Sequence, residues 1–292
     1  MTTSTPRAVA KAGRDRLLRG TPSLQRTICS LARRGRLSPR IWRRLHPIGE
    51  WTLHAPDGTP FRYASDYDHD RLARHIVWTD MRHWESSTQP VLYRLARTAR
   101  VFVDVGAYSG VYTLLACTAN PQLTAVACEP NPAKVAQLTA NLRLNGLTDR
   151  VEVVAKALSS RGGRATLEIP TDDSQASLAA GVRSAERVEV DVTTGDDVLA
   201  GRPVDLVKID VEGLEPEVVA GMAGVLTAHR PTVIAECLDQ AALDRLRDAM
   251  GRLGFDEVYH LPPGGPVRVG DGFRHVRHQS NYVFSGRRSA LG

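Results

Sequence analysis

Long apolar runs are missing from this chain. No stretch approaches the roughly 18 consecutive apolar residues that a bilayer-spanning helix needs, and the longest, such as Val111–Ala119, read as internal helix or strand. Residues 1–50 hold no secretory h-region. Cysteine is scarce: Cys29, Cys117, Cys128 and Cys237 include no CxxC pair, and three of them lie inside apolar runs. That pattern argues against a disulfide scaffold. It predicts structural thiols in a reducing compartment, and with them a cytoplasmic protein. Aromatic residues make up only 5% of the chain, too few to interleave with cations as a nucleic-acid surface requires. There is no GxxxxGK[ST] phosphate loop, no GxGxxG turn, no internal repeat and no heptad run.

What is present is an ordinary globular composition: 292 residues, 42% hydrophobic and 24% charged, with 24 Gly and 17 Pro. That length allows one large α/β domain with an appendage, or two small domains. The net charge of +6 is unevenly placed. Residues 1–50 carry twelve cations against Asp15 and Glu50, a balance of +10, which leaves −4 on the rest. A basic segment is therefore joined to a mildly acidic body. Residues 1–50 fit a solvated basic arm, a transit-peptide-like composition, or a basic element lying on an anionic membrane surface. The third reading adds a membrane-peripheral contact to the cytoplasmic placement. The acidic body makes nucleic acid a poor partner for the whole.

Residues 51–64 predict a hairpin around the Pro56-Asp57-Gly58-Thr59 turn. Residues 65–97 are helical or irregular and rich in His and Trp (His69, His75, Trp78, His83, Trp84). From residue 98 to 286 strands alternate with helices of 10–15 residues, which predicts an α/β fold: a mostly parallel sheet with helices on both faces. The expected strands include Arg100–Val105, Leu123–Cys128, Val151–Ala157, Asp205–Asp210 and Thr232–Glu236. A helix is expected over 215–228.

Val101-Phe-Val-Asp104-Val-Gly106-Ala-Tyr-Ser-Gly110 places an acid and two glycines at a strand-to-helix turn, the switch point where doubly wound sheets hold nucleotide-like ligands. Gly106 permits a tight turn and close backbone approach, and Gly110 is expected to let the helix pack near the strand. Ala107 and Tyr108 complete the turn. Asp104 would repel a pyrophosphate but suits an ammonium group, so this DxGxxxG turn favours S-adenosylmethionine over NAD. Glu129, ending the next strand, is placed to accept the ribose hydroxyls. Asn131 would shape the adenosine pocket, and Ala157, ending the third strand, would lie against the adenine face.

Asp205-Leu-Val-Lys208-Ile-Asp210-Val-Glu212-Gly213 sets a cation in an apolar strand that ends in two acids. Lys208, Asp210 and Glu212 alternate, so they share one face of an extended segment. A buried cation is expensive unless paired. The segment is either an ion-pair cluster holding a strand end or a catalytic constellation.

In chain order VFVDVGAYSG, CEPNP with a helix ending in NLRLNG, AKALSSRGG, VEVDVTTGDD, LVKIDVEGLEPEVVAGM and PTVIAE resemble the FkbM family of S-adenosylmethionine-dependent methyltransferases, over about residues 80–285. KIDVEG is the most specific part. The resemblance implies a Rossmann-like methyltransferase fold, a seven-stranded mostly parallel sheet with an antiparallel last strand, here with an N-terminal extension. It implies O-methylation of a hydroxyl on a sugar, glycolipid or secondary metabolite, so the partner is a small-molecule or glycan acceptor. Cofactor positions carry over to Asp104, Gly106, Gly110 and Glu129, and KxDxEG positions to Lys208, Asp210, Glu212 and Gly213. Tyr108 departs from the small polar residue common there, which changes the shape beside the methionine tail. Asp210 is then the expected base or acceptor-orienting residue, with Lys208 holding it ionised or steadying an emerging alkoxide and Glu212 orienting either one. Glu236, His75 and His83 stand in reserve. Asp210 with Glu236 offers oxygen ligands for a divalent ion, but no metal is predicted. A catalytically inactive binding module and a nucleic-acid methyltransferase are the competing readings.

Overall fold

A computed structural model describes residues 18, 21–65, 70, 72–169, 186–270 and 272–286. His69 and most of the 171–187 loop lie outside the described residues. The chain divides into two compact units, Met1–Ser86 and Ser87–Gly292.

In the first unit, helix Pro22–Arg33 starts with proline at its first turn and buries Gln25, Cys29 and Ala32. The Gln25 amide donates to the carbonyls of Leu18 and Ile48 and accepts from the Ile48 N–H. Strands β1 (Gly49–His54) and β2 (Pro60–Ser65) pair antiparallel. Asp57 closes their turn by accepting the Thr59 N–H at 2.9 Å. The hairpin stands as the sequence predicts. Trp78 is fully buried and packs edge-on against Trp51, its indole N–H donating to the Leu45 carbonyl, so this tryptophan serves packing. His75 and His83 are exposed on the same unit.

The second unit is built on β3 (Val101–Val105), β4 (Thr124–Cys128), β5 (Val151–Val154), β6 (Ala157–Leu158), β7 (Gly163–Ile169), β8 (Glu186–Thr193), β9 (Leu206–Ile209), β10 (Thr232–Glu236), β11 (Glu257–His260), β12 (Val267–Arg268) and β13 (Asn281–Ser285). Its central mixed sheet has eight strands in the order β12-β11-β13-β10-β9-β3-β4-β5. From β5 to β10 every pairing is parallel. β13 runs antiparallel between β10 and β11. Seven strands were expected. The eighth arises because the Pro/Gly turn at 262–266 folds Val267 and Arg268 back onto His260 and Tyr259.

Three other expectations change. The third strand stops at Val154, and Ala157 belongs instead to β6, which pairs with β8 in a separate three-stranded sheet, β6-β8-β7. The helix expected over 215–228 is two, Glu215–Gly221 and Ala223–His229. Asp196 explains the break: its two carboxylate oxygens accept the Gly224 and Val225 N–H groups, starting a new helix there. A side chain at Gly221 would strike the Ser159 carbonyl, so the chain needs its glycine at that joint. Gly110 packs on Leu138 of the next helix rather than on the strand.

Parallel strands covered on both faces need apolar side chains throughout, and Val103, Val126, Val207, Ile209 and Val233 supply them in one continuous core. All four cysteines are buried free thiols. No described helix is long and apolar enough to cross a membrane. The helix Pro132–Leu144 is capped by Asn131, whose side chain accepts the Ala133 N–H at 3.0 Å.

Asp205 joins β3 to β9 at their starts, one oxygen accepting the Arg100 and Val101 N–H groups at 2.8 and 3.2 Å. Replacing it with alanine orphans both donors. Asp205→Ala is expected to lower unfolding free energy by about 1–2 kcal/mol, read by urea denaturation.

Candidate active site

The site begins where β3 ends. Gly106 and Ala107 both donate their N–H groups to the Cys128 carbonyl at 3.0 Å, fixing the turn to the tip of β4. Gly106, Tyr108 and Gly110 have φ of 81°, 52° and 86°. Glycine adopts such angles freely, whereas a tyrosine must be held there. Two contacts hold it. The Tyr108 N–H donates to Glu129 Oε2 at 2.8 Å, and the Lys134 ammonium lies 4.1 Å from the tyrosine ring centroid. Gly106 meets a further constraint: a Cβ there would be driven into the carbonyl oxygen of Asp210. The tight turn expected of this glycine is present, and the same missing Cβ also admits the neighbouring strand tip.

Glu129 is nearly fully buried, and its other oxygen accepts the Asn131 N–H at 2.8 Å. Burial pushes its carboxyl up to about 7, although the Asn131 and Tyr108 N–H groups and the Lys134 charge pull the other way. Asn131 is buried, and its amide oxygen is taken by the helix cap. Asp104 on β3 is also buried and accepts the Thr113 hydroxyl at 2.6 Å. Burial raises it to about 6 against the opposing Thr113 hydrogen bond and Lys208 charge.

Lys208 is the cross-strand neighbour of Asp104 and is completely buried. Its ammonium donates to Asp210 Oδ2 at 3.0 Å and lies 5.5 Å from the Tyr112 ring centroid. The ion pair inferred from the sequence is therefore present for Lys208 and Asp210. Burial works to raise the Asp210 carboxyl, but the Lys208 charge and hydrogen bonds from Glu236 and Lys208 hold it below the usual carboxylate range. The strict alternation through Glu212 fails. β9 stops at Ile209, and Glu212 sits at φ 56° inside a turn. Glu215 makes that turn, its Oε1 accepting the Val211 and Gly213 N–H groups at 3.3 and 3.0 Å.

The turn nevertheless returns Glu212 to the cluster. Oxygens of Asp210, Glu212 and Glu236 lie within 4.8 Å of one another, a donor set that suits a hard divalent cation. Glu236, a reserve residue in the sequence, ends β10 beside β9 and accepts the Ser280 hydroxyl at 2.5 Å. Sequence reasoning missed Thr113, Lys134, Glu215 and Ser280. Only Glu215 left a signal, as an acid in the first turn of a helix after a glycine.

Asp104 and Glu129 fit a cationic, hydroxyl-bearing ligand: both are buried acids whose ionisation costs energy that such a ligand offsets. Below the raised folded-state values the acids are protonated in the native protein. Their contribution favouring the fold is lost as pH rises from the ordinary carboxylate range through about 6 and 7. A cation restores it. Affinity for S-adenosylmethionine is therefore expected to rise from about pH 5.5 to about pH 8 and then level off. Isothermal titration across that range checks this, and a flat profile contradicts it.

Comparison with known proteins gives the family. Residues 104–257 match the family described as Methyltransferase FkbM domain. The 31-O-demethyl-FK506 methyltransferase FkbM of Streptomyces tacrolimicus is 26% identical over 249 residues, covering 73% of this chain and 91% of its own. A methyltransferase FkbM crystal structure from Methylobacillus flagellatus has 18% identity and a TM-score of 0.47, over 64% of this chain and 43% of that one. An O-methyltransferase structure from Thermotoga maritima has 14% identity and a TM-score of 0.42, over 82% and 93%. The family match spans more than half of the sequence, from Asp104 on β3 to the first residue of β11. The chain belongs to the FkbM family of S-adenosylmethionine-dependent methyltransferases.

Proposed function

We propose that this enzyme transfers a methyl group to a hydroxyl of a sugar, glycolipid or secondary metabolite, with Asp210 as the base. One observation carries the reading. The Asp210 carbonyl is seated against Gly106, so the turn that would hold the cofactor and the carboxylate that would meet the acceptor form one rigid unit. The name of the Streptomyces tacrolimicus relative, which refers to an O-demethyl acceptor, supports a hydroxyl as the acceptor. Within the eight-stranded sheet we take β5-β4-β3-β9-β10-β13-β11 as the seven-stranded Rossmann-like methyltransferase sheet, with β12 as an appendage.

Bound S-adenosylmethionine supplies a methyl group already activated on a sulfonium. The Asp104 carboxylate would hold its cationic side. Glu129 retains a lone pair on each oxygen beyond its two backbone partners and would accept ribose hydroxyls. Ala107 and Tyr108 would line the turn, while Ala157 would meet the adenine from the second sheet, where β6 lies. The chemistry left for the protein is orientation and removal of one proton. Asp210, kept ionised by Lys208, would take the proton of the acceptor hydroxyl. Lys208 would also steady the developing alkoxide, and Glu212 would orient the acceptor.

For the N-terminal segment we propose peripheral contact with an anionic membrane. Arg26, Arg34, Arg36, Arg40, Arg43 and Arg44 are exposed, as are Leu24, Leu31 and Ile41. Cations beside apolar side chains are what an interfacial element needs. Flotation with phosphatidylglycerol vesicles is expected to carry the protein at low salt and to lose it at high salt. Equal flotation with neutral vesicles overturns the contact.

Asp210→Asn keeps the shape but removes the base. Its kcat is expected to fall by about 10²–10⁴-fold, with the dissociation constant for S-adenosylmethionine changed by no more than about threefold. Labelled-methyl transfer to a panel of glycosides and polyketide alcohols, paired with calorimetry, measures both.

A further inference from the structure

The described residues between β12 and β13 form neither strand nor helix, yet several are closely fastened. The His275 N–H donates to Gln240 Oε1 at 2.7 Å, and His275 Nδ1 lies 3.0 Å from the Tyr282 hydroxyl. His260 Nε2 is 2.9 Å from the Gln279 carbonyl. The rings of His260, Phe273 and Tyr282 pack with centroids 5.2–6.2 Å apart. His278 is held at φ 65°. Ordering an irregular segment costs backbone entropy, so this much fixation asks what the segment delivers.

It delivers Ser280 to the site. The Ser280 hydroxyl donates to Glu236 Oε1 at 2.5 Å, and oxygens of Glu236 and Asp210 lie within 4.8 Å of each other. We propose that Ser280 is a positioning residue for methyl transfer: by holding one oxygen of Glu236 it turns the other toward Asp210, so the base is oriented from the β10–β13 side as well as by Lys208. This rests on reading Asp210 as the base. A glutamate at a strand tip turns freely about its last bond, and a short hydrogen bond to one oxygen removes that freedom. Asp210 is then bracketed by an ammonium on one side and Glu236 on the other, which narrows the directions from which a hydroxyl can approach.

A purely architectural role for the Ser280 hydroxyl is already filled by the backbone. The Cys237 N–H donates to the Ser280 carbonyl at 2.7 Å, and β13 pairs with β10 from Asn281 to Ser285. Neither contact uses the side chain. Removing the hydroxyl should therefore leave the fold standing and disturb the chemistry.

The test compares Ser280→Ala and Ser280→Thr in the full chain. Ser280→Ala is expected to lose about tenfold or more in kcat, with KM and dissociation constant for S-adenosylmethionine unchanged and the melting temperature retained. Ser280→Thr, which keeps the hydroxyl, is expected to restore most of the kcat. Wild-type kcat in the alanine variant overturns the proposal. So does a parallel loss of kcat, cofactor binding and melting temperature, or a threonine variant no better than alanine. A crystal structure of Ser280→Ala gives a readout that does not depend on the identity of the base. Glu236 rotated away from Asp210 supports the positioning role even if Asp210→Asn still turns over, and an unmoved Glu236 overturns it.

Discussion

A lysine with no solvent exposure lies in the middle of the central sheet, between an aspartate on the neighbouring strand and another two residues ahead on its own. Burying an ammonium alone would cost several kcal/mol, so Lys208 commits the fold to placing Asp104 and Asp210 beside it. Those two positions are the tips of β3 and β9, the adjacent parallel strands around which the rest of the sheet is laid. The same ammonium that makes the interior tolerable keeps Asp210 ionised. With Asp210 as the proposed base, architecture and reactivity would share one charge.

The remaining polar groups at this edge of the sheet divide into those already satisfied and those held in readiness. Glu129 uses an oxygen each on the Tyr108 and Asn131 amides, and Glu215 spends one oxygen on the turn carrying Glu212. These bonds replace solvent for groups that burial would otherwise neutralise. Asp104 and Glu129 are still raised, which marks them as acids whose ionised form awaits a better environment. On the site proposed above, a cationic cofactor would supply one, and the electrostatic deficit of the fold would become binding energy.

Much of this was legible in the sequence because it lies on local spacing. The DVGAYSG turn, the acid ending the next strand and the lysine–aspartate alternation are short-range patterns, and the structure brings them to one edge. Long-range consequences were not legible. Nothing local says that Gly106 faces Asp210, that Gly110 faces Leu138, or that Ser280 reaches Glu236, because each pair is joined only by strand order. Ala157 was assigned to the wrong sheet for a related reason: a buried two-residue strand carries the same small apolar signature whichever partner it pairs with. Glu212 reaches the cluster through a turn and not by alternation, because alternation holds only while a strand lasts, and this strand ends three residues earlier.

The abutment of Gly106 on the Asp210 carbonyl has a consequence for how the molecule assembles. These residues are distant along the chain, so the Asp210 carbonyl that closes against the glycine turn is in place only once β9 has docked against β3. Long-range pairing of this kind forms late and slowly. A nascent or partly folded chain that has made only its first strands and helices lacks a finished cradle, and the methyl donor cannot serve as an early template around which the rest condenses. Occupancy instead reports completion: the small molecule stabilises only chains whose central strands have already closed.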